Sequence, residues 1–418
     1  MARVLVLSLV FPPDAVSTAQ IMGDLADDLA RLGHDVTVLT TTPHYNRDAD
    51  AEARQPRRPW WGRLVQRSEF RGLPVIHTWM PAKSASVPLR LLAWSLFHAL
   101  SVVVGVTAIR RVDVILVPSP PLTMGVAAWL LGLWHRAPFV YNVQELYPDI
   151  AINLGAVRHP VAIRLLFALE RFVYARAAAI TVIADRMRRR LLEKGVAPDR
   201  VSVIPNFVDA DHLRAVPAPN GFTAELGLDG RFVVCYAGNL GPAQGLDTVL
   251  DAAGRLRDDP RIAVVLVGGG TLWHHLAGRI RDERLANVSL VPHQPYARVP
   301  EIYGASDLSV VPQAAAIGAD AVPSKVYRIM ACGRAVLAAT ESDSDLAALV
   351  RAAGCGVVVP QDSPAAIAEA IRAAASAPEA LAAMGEAGRR HVAGHYARPV
   401  VTGRYHALID ALAGRRAA

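Results

Sequence analysis

Three loops in the second half of the chain carry residue types capable of chemistry, two of them suited to holding phosphate. Ala237-Gly238-Asn239-Leu240-Gly241 follows the apolar run FVVCY and precedes a helix expected from about Gly245. Glycines there let backbone N–H groups approach a phosphate, and the helix N-terminus favours negative charge. Gly268-Gly269-Gly270 repeats the arrangement after IAVVLV. A tight turn is the alternative reading of either glycine cluster. The third loop runs from Gly318 to Gly333. Pro323-Ser324 opens a helix with Ser324 as its expected cap, and Gly333 ends it. Asp320 precedes that helix and Lys325 lies on its first turn, where a cation opposes the helix dipole. Such a local conflict points to function. Lysine is scarce, with only Lys83, Lys194 and Lys325 among 44 basic residues. The alternative, a solvated surface lysine, fits poorly with the apolar sequence around Lys325.

Strands alternating with helices position these loops. ARVLVLSLV, DVTVLTT, PVIHTW, VDVILVPS, FVYNVQE, AAITVIA and VSVIPN read as strands of the first half. The first helix, QIMGDLADDLARLGH, has Ile21, Met22, Leu25, Leu29 and Leu32 at helical spacing and is closed by Gly33. The pattern restarts with FVVCYAGN and continues through IAVVLVGGG, VSLVPH, DLSVVPQ, AVLAAT and GVVVP. Continuous apolar strands between helices predict parallel sheets covered on both faces. The expectation is an α/β protein of two facing, doubly wound Rossmann-like domains. Their bounds are 1–205 with a C-terminal helix of about 399–418, and 206–398, with PNFVDADHLRAVPAPN as linker.

Composition agrees with this class. The 418 residues are 52% apolar and 19% charged, which excludes a disordered or fibrous chain. Cys235, Cys332 and Cys355 form no Cys-x-x-Cys pair or disulfide framework, and a reducing compartment is expected. The N-terminal MARVLVLSLVFPPD reads as a buried strand and not as a signal peptide. Charge is uneven: residues 1–205 hold 24 Lys and Arg against 16 Asp and Glu, and residues 206–418 hold 20 against 21. Arg54, Arg57, Arg58, Arg63, Arg67 and Arg71 share one stretch with Trp60-Trp61. With no zinc-finger, helix-turn-helix or RNA-binding signature, an anionic membrane surface is the expected partner and nucleic acid is not. The apolar stretch 89–109 carries Arg90 and His98 and runs straight into a strand. A core helix is the favoured reading, ahead of a monotopic surface helix, and a membrane span comes last.

These residues resemble glycosyltransferase family 4, which has the two-domain GT-B fold. The likeness lies in the FPP loop with LADDLARLGHDVTVLT, YNVQELYPD, VIPNFVD, YAGNLGPAQGLDTVLDAA, LVGGG and PSKVYRIMACGRAVLAA. Within the family the chain is most similar to enzymes of bacterial polysaccharide assembly, of the colanic-acid and O-antigen fucosamine-transferase type. SPPLTMGVAAWLLGLWHRAPFVYNVQELYPD carries that subgroup likeness. The resemblance implies a nucleotide diphosphate-sugar, UDP-linked by subgroup, on the second domain. Gly238, Asn239 and Gly241 would lie under the diphosphate, with Gly269, Gly270 and His293 near the base. Ser324, Lys325, Val326 and Arg328 complete the implied donor side. The family's two acidic positions fall on Asp320 and Arg328, so only the first keeps a carboxylate. Its two basic diphosphate positions fall on Asn239 and Gln244, both neutral, and Lys325, with Arg328 as second candidate, is expected to supply the missing charge.

On the first domain, Asp14 to Ala19 takes the place of the family's glycine-rich loop. Ser17 and Thr18 are candidates to bond phosphate or sugar, or to cap the helix. Pro43-His44-Tyr45-Asn46 ends the second strand, placing His44 and Tyr45 on the acceptor side. Gln144, Glu145 and Asp149 follow FVYNVQE; Glu145 or Asp149 would orient the acceptor or stabilise charge on the sugar, or cap the next helix. The implied reaction retains anomeric configuration and needs no metal or other cofactor. The expected activity is hexosyl or N-acetylhexosaminyl transfer to a glycan or polyprenyl-linked acceptor. The expected place is the cytoplasm, peripheral on the inner face of the plasma membrane. Transfer to a soluble acceptor, nucleotide-sugar 2-epimerisation and a catalytically silent subunit are the alternatives.

Overall fold

Runs of β-branched and aliphatic residues form the strands of the computed structural model, which describes residues 1–14, 16–44, 48–81, 87–153, 155–314 and 322–417. In the first half these are β1 (Arg3–Leu7), β2 (Asp35–Thr41), β3 (Arg58–Trp60), β4 (Gly62–Phe70), β5 (Leu73–Thr78), β6 (Val114–Pro118), β7 (Phe139–Val143), β8 (Ala179–Val182) and β9 (Val201–Val203). The second half adds β10 (Phe232–Ala237), β11 (Ile262–Val267), β12 (Val288–Val291), β13 (Leu308–Pro312), β14 (Ala335–Ala339) and β15 (Gly356–Val359). The chain divides into two compact units, Met1–Pro205 with Val401–Ala418, and Asn206–Val400.

The first unit has sheet order β3-β4-β5-β2-β1-β6-β7-β8-β9, parallel from β5 onward. The second has order β12-β11-β10-β13-β14-β15, parallel throughout. In each, the order reverses beside the first strand, between β1 and β6 and between β10 and β13. Open α/β sheets bind ligands at such a switch point. Alternate residues of β10 serve opposite faces, with Val234 and Tyr236 in one cluster and Val233 and Cys235 in another. Among the described residues the three cysteines are free and buried, and burial pushes the Cys235 and Cys332 thiols up to about 12.

The arginine and tryptophan stretch departs from the sequence reading. It folds as an antiparallel edge, β3 on β4 and β4 on β5, and spends much of its charge internally. Arg57 pairs with Glu52, Arg71 pairs with Asp24 and Asp27, and Arg67 stacks on Trp60. A buried relay holds this edge: Gln55 Nε2 donates to Ser68 Oγ (3.0 Å), Ser68 Oγ meets His77 Nε2 (2.7 Å), and His77 Nδ1 donates to Thr41 O (2.9 Å). The apolar stretch at 89–109 is the helix Val87–Ala108. Phe97 and Val104 are buried while Leu92 and Val103 face outward, so it is a covering helix and not one enclosed in the core. Among the described residues no helix is long and apolar enough to cross a membrane. The final helix, Arg398–Ala417, is fastened to the first sheet: Tyr405 Oη accepts from Asn142 Nδ2 (2.8 Å), and His406 Nδ1 meets His34 Nε2 (2.8 Å).

Burial pushes the His77 imidazole down to about 4. The unfolded chain therefore binds a proton between roughly pH 6.5 and 4 that the fold does not. Stability from this site is full above that window and is lost as the pH falls through it, by about 3 kcal/mol at most. Urea midpoints at pH 7 and pH 4.5 should converge in His77→Gln relative to the parent chain.

Candidate active site

At the second switch point, β10 leads into Gly238-Asn239-Leu240-Gly241, a short turn Pro242–Gln244 and the helix Leu246–Gly254. The loop after β11 is laced to it: Leu240 N donates to Gly269 O (2.9 Å) and Leu272 N to Leu240 O (3.0 Å). A Cβ at Gly268 would stand 1.8 Å from Gly238 O, so two backbones meet where no side chain fits. Gly241 is buried under the Asn239 side chain, whereas Gly269 and Gly270 face solvent and His293 lies beside Gly269, exposed after β12. The glycines thus serve the turn and leave an open backbone edge.

The helix Lys325–Ala331 brings Lys325 up beneath this loop. Its Nζ donates to Gln244 Oε1 (2.6 Å) and Tyr236 Oη (2.8 Å), and lies 4.0 Å from the centre of the Tyr236 ring. The phenol O–H in turn donates a hydrogen bond to Asn239 O (2.6 Å). A Cβ on Gly238 would fall 3.2 Å from the amine. Among the described residues no carboxylate faces Lys325, and burial pushes its amine down to about 7. The desolvated cation therefore stands where the sequence leaves Gln244 neutral. Tyr236 escaped the sequence reading because it looks like an ordinary buried strand residue; its spacing of two from Gly238 was the available signal.

The other donor-side residues are placed less uniformly. Ser324 precedes the helix in αR conformation and makes no capping bond, a correction to the expected cap. Val326 is buried in the core, and its amide donates to Pro323 O (3.0 Å). Arg328 rests over the Tyr296 ring, 5.4 Å from its centre. Asp320 and Tyr45 lie outside the described residues.

In the first unit, Asp14 and His44 come together at the carboxyl ends of β1 and β2. Asp14 Oδ1 accepts from His44 N (3.1 Å), and its Oδ2 lies 3.6 Å from His44 Nδ1. Thr41 Oγ1 donates to Leu9 O, so it accepts from His44 Nδ1 (3.0 Å), which assigns the ring proton to that nitrogen. Ser17 and Thr18 lie inside the first turn of Ser17–Arg31; Val16 holds the cap position and no side chain caps it. The capping role is thereby excluded for both. Gln144 is buried, its Nε2 donating to Asn142 Oδ1 (2.6 Å). Glu145 stays exposed at the strand end; surrounding protein raises its carboxyl, an effect blunted on its open side.

Asp149 is tied into an ion-pair network. It starts the short helix Asp149–Asn153 and is held by Lys194, which also bonds the buried Glu170 (2.6 Å). The partner lies 45 positions away, beyond the reach of local pattern reading.

Two units built on largely parallel sheets with loops gathered at a switch point, one of them a glycine edge above a half-buried lysine, place the chain among glycosyltransferases of the GT-B class. Residues 18–206 match the glycosyl transferase 4-like domain and residues 222–391 the glycosyl transferases group 1 domain. The chain belongs to glycosyltransferase family 4. It is 28% identical to the putative colanic acid biosynthesis glycosyl transferase WcaI of Escherichia coli K12, across 90% of this chain and 93% of that one. It is 25% identical to the probable glycosyltransferase WbjE of Pseudomonas aeruginosa, across 63% and 66% of the two chains. Among solved structures, Anabaena HepE in complex with UDP shares the fold with a TM-score of 0.74 at 16% identity, over 98% of this chain and 100% of that one.

Removing Lys194 leaves the buried Glu170 without a cation and with only the Tyr174 hydroxyl beside it, so Lys194→Met should lower stability by about 3 kcal/mol in chemical denaturation. Adding Glu170→Gln should recover much of that loss.

Proposed function

We propose that the chain is a retaining, metal-independent glycosyltransferase that moves a hexosyl or N-acetylhexosaminyl group from a UDP-linked sugar to a glycan or polyprenyl-linked acceptor. The observation that carries this reading is the Lys325 amine beneath the Gly238 edge, with Gln244 and Tyr236 as its neutral partners. A diphosphate arriving there meets backbone N–H groups and a half-buried cation that water screens less than it would at an open surface. The amine is largely neutral at slightly alkaline pH, and two phosphate charges raise its proton affinity, so the lysine takes up a proton as the donor binds. Its positive charge then stabilises the diphosphate as the glycosidic bond breaks, the part a divalent ion plays elsewhere. Charge on the leaving phosphate lets it accept the acceptor's proton, so no strong protein base is needed.

The unit built on β1 to β9 supplies the acceptor side in this reading, with His44, oriented by Asp14 and Thr41, and the exposed Glu145 as its polar groups. The printed description of WcaI, a transferase of colanic acid biosynthesis, supports a polysaccharide product. The UDP complex of HepE supports uridine as the base. A lipid-linked acceptor would place the chain peripherally at the cytoplasmic membrane face.

Two measurements test this reading. Calorimetric titration with UDP, GDP and ADP should show preference for UDP, with Lys325→Met weakening binding about 10- to 100-fold, as expected for loss of a charge-assisted bond. Titration in buffers of different ionisation enthalpy at pH 8 should show uptake of up to about 0.9 proton per UDP, absent in Lys325→Met. No binding of any nucleotide would instead favour a catalytically silent subunit, consistent with the neutral Asn239 and Gln244.

A further inference from the structure

Three helices of the first unit, Val87–Ala108, Met124–His135 and Pro160–Arg176, form one closely joined layer on the sheet. A Cβ at Gly105 would stand 2.4 Å from Leu131, and one at Gly125 would stand 2.3 Å from Val173. His135 Nε2 bonds Gly105 O (3.0 Å), and Trp129 meets Phe172 edge-on at 5.0 Å. The crossovers that carry these helices all run in one direction along the sheet, from β5 through β6 and β7 to β8, so right-handed connections put them on one face. Their outer sides therefore form a single surface.

That surface is apolar where a solvated helix is normally polar. Leu89, Leu92, Leu96 and Val103 recur at intervals of three, four and seven along the first helix and are all exposed, Leu92 by 68%. Leu130, Leu133 and Trp134 continue the patch on the second helix, and Val161 and Leu165 on the third. Contiguous apolar surface of this extent marks an interaction site.

Its charge chooses the partner. The only acid within the three helices is Glu170, buried and held by Lys194. Arg110, Arg111, Arg136, Arg164 and Arg171 lie on or just beyond these helices, and among the described residues none has an acidic partner. At the end of the first helix a cleft of about 610 Å³ is lined by Arg110 and Arg111 beside Asp35, with Arg3 paired to Asp113 and Arg67 stacked on Trp60. Apolar side chains rimmed by unpaired guanidinium groups complement lipid tails beneath phosphate headgroups. A second copy of the same face would bring like charges together.

We propose that this three-helix face seats the chain on an anionic phospholipid bilayer, with Leu92, Leu133, Trp134 and Leu165 entering the headgroup–acyl boundary and the arginines meeting lipid phosphates. The proposal names the surface for the membrane-borne acceptor read above and rests on that reading for its purpose. Its test needs neither donor nor acceptor. The full chain should sediment with phosphatidylcholine vesicles containing about one-third phosphatidylglycerol, and far less with phosphatidylcholine alone. The triple variant Leu92→Glu, Leu133→Glu, Leu165→Glu should bind those vesicles at least about tenfold more weakly. Leu32→Glu, at an exposed leucine just past the helix Ser17–Arg31, should bind as the parent does. A far-UV circular dichroism spectrum and a urea midpoint like the parent's show that the first unit of the triple variant remains folded. The proposal is overturned if the parent chain ignores anionic vesicles or the triple variant binds them as the parent does. A dimer that the triple variant converts to monomer overturns it too, by assigning the face to a second copy. Vesicle binding without nucleotide binding would sink the transferase reading alone, and nucleotide binding without vesicle binding would sink the membrane surface alone.

Discussion

A primary amine enclosed beneath a glycine loop, held by a phenol and an amide, imposes conditions on everything around it. Tyr236 must sit on the strand at the one position where its ring lies under the amine and its hydroxyl reaches Asn239 O. A Cβ at Gly238 would crowd the amine at 3.2 Å, so a side chain there would make the lysine shift. The helix bearing Lys325 must begin late enough for the side chain to rise into the loop, although its first turn disfavours a cation. These demands meet at the switch point between β10 and β13, which gives the loop and the helix a common opening.

The first unit handles its polar residues differently. Its strand ends hold connected networks, Asp14 with His44 and Thr41, and Gln144 with Asn142, Thr181 and Tyr405. Each fixes a side chain through neighbours already committed to the backbone, which suits groups that position a substrate. Lys194, Asp149 and Glu170 form another network, and its effect is to fasten helix to helix.

Most of the fold was legible because parallel strands covered on both faces are written as unbroken apolar runs. DVTVLTT and β2 coincide residue for residue, and FVVCYAGN and IAVVLVGGG contain β10 and β11 entire. The β3–β4 edge was not legible, since RPW and GRLVQRSEF lack any such run and owe their pairing to the His77 relay and to Arg67 on Trp60. At the candidate site, Lys325 stood out by rarity and by its conflict with the helix dipole. Tyr236 and the tethering of Asp149 did not, because each depends on a partner far away in the chain. The stretch at 89–109 betrayed its apolar character but not its one exposed side, which follows only from where the helix lies on the sheet.

The fastening of the last helix through Tyr405 and His406 has a consequence for how the polypeptide matures. The second unit is one continuous segment, Asn206–Val400, whereas the first is interrupted and finished only by Val401–Ala418. During vectorial synthesis the later-made unit emerges whole before the earlier-made one has all its parts. Until Val401–Ala418 has been made, the N-terminal sheet lacks the Tyr405 partner of Asn142 and the His406 partner of His34.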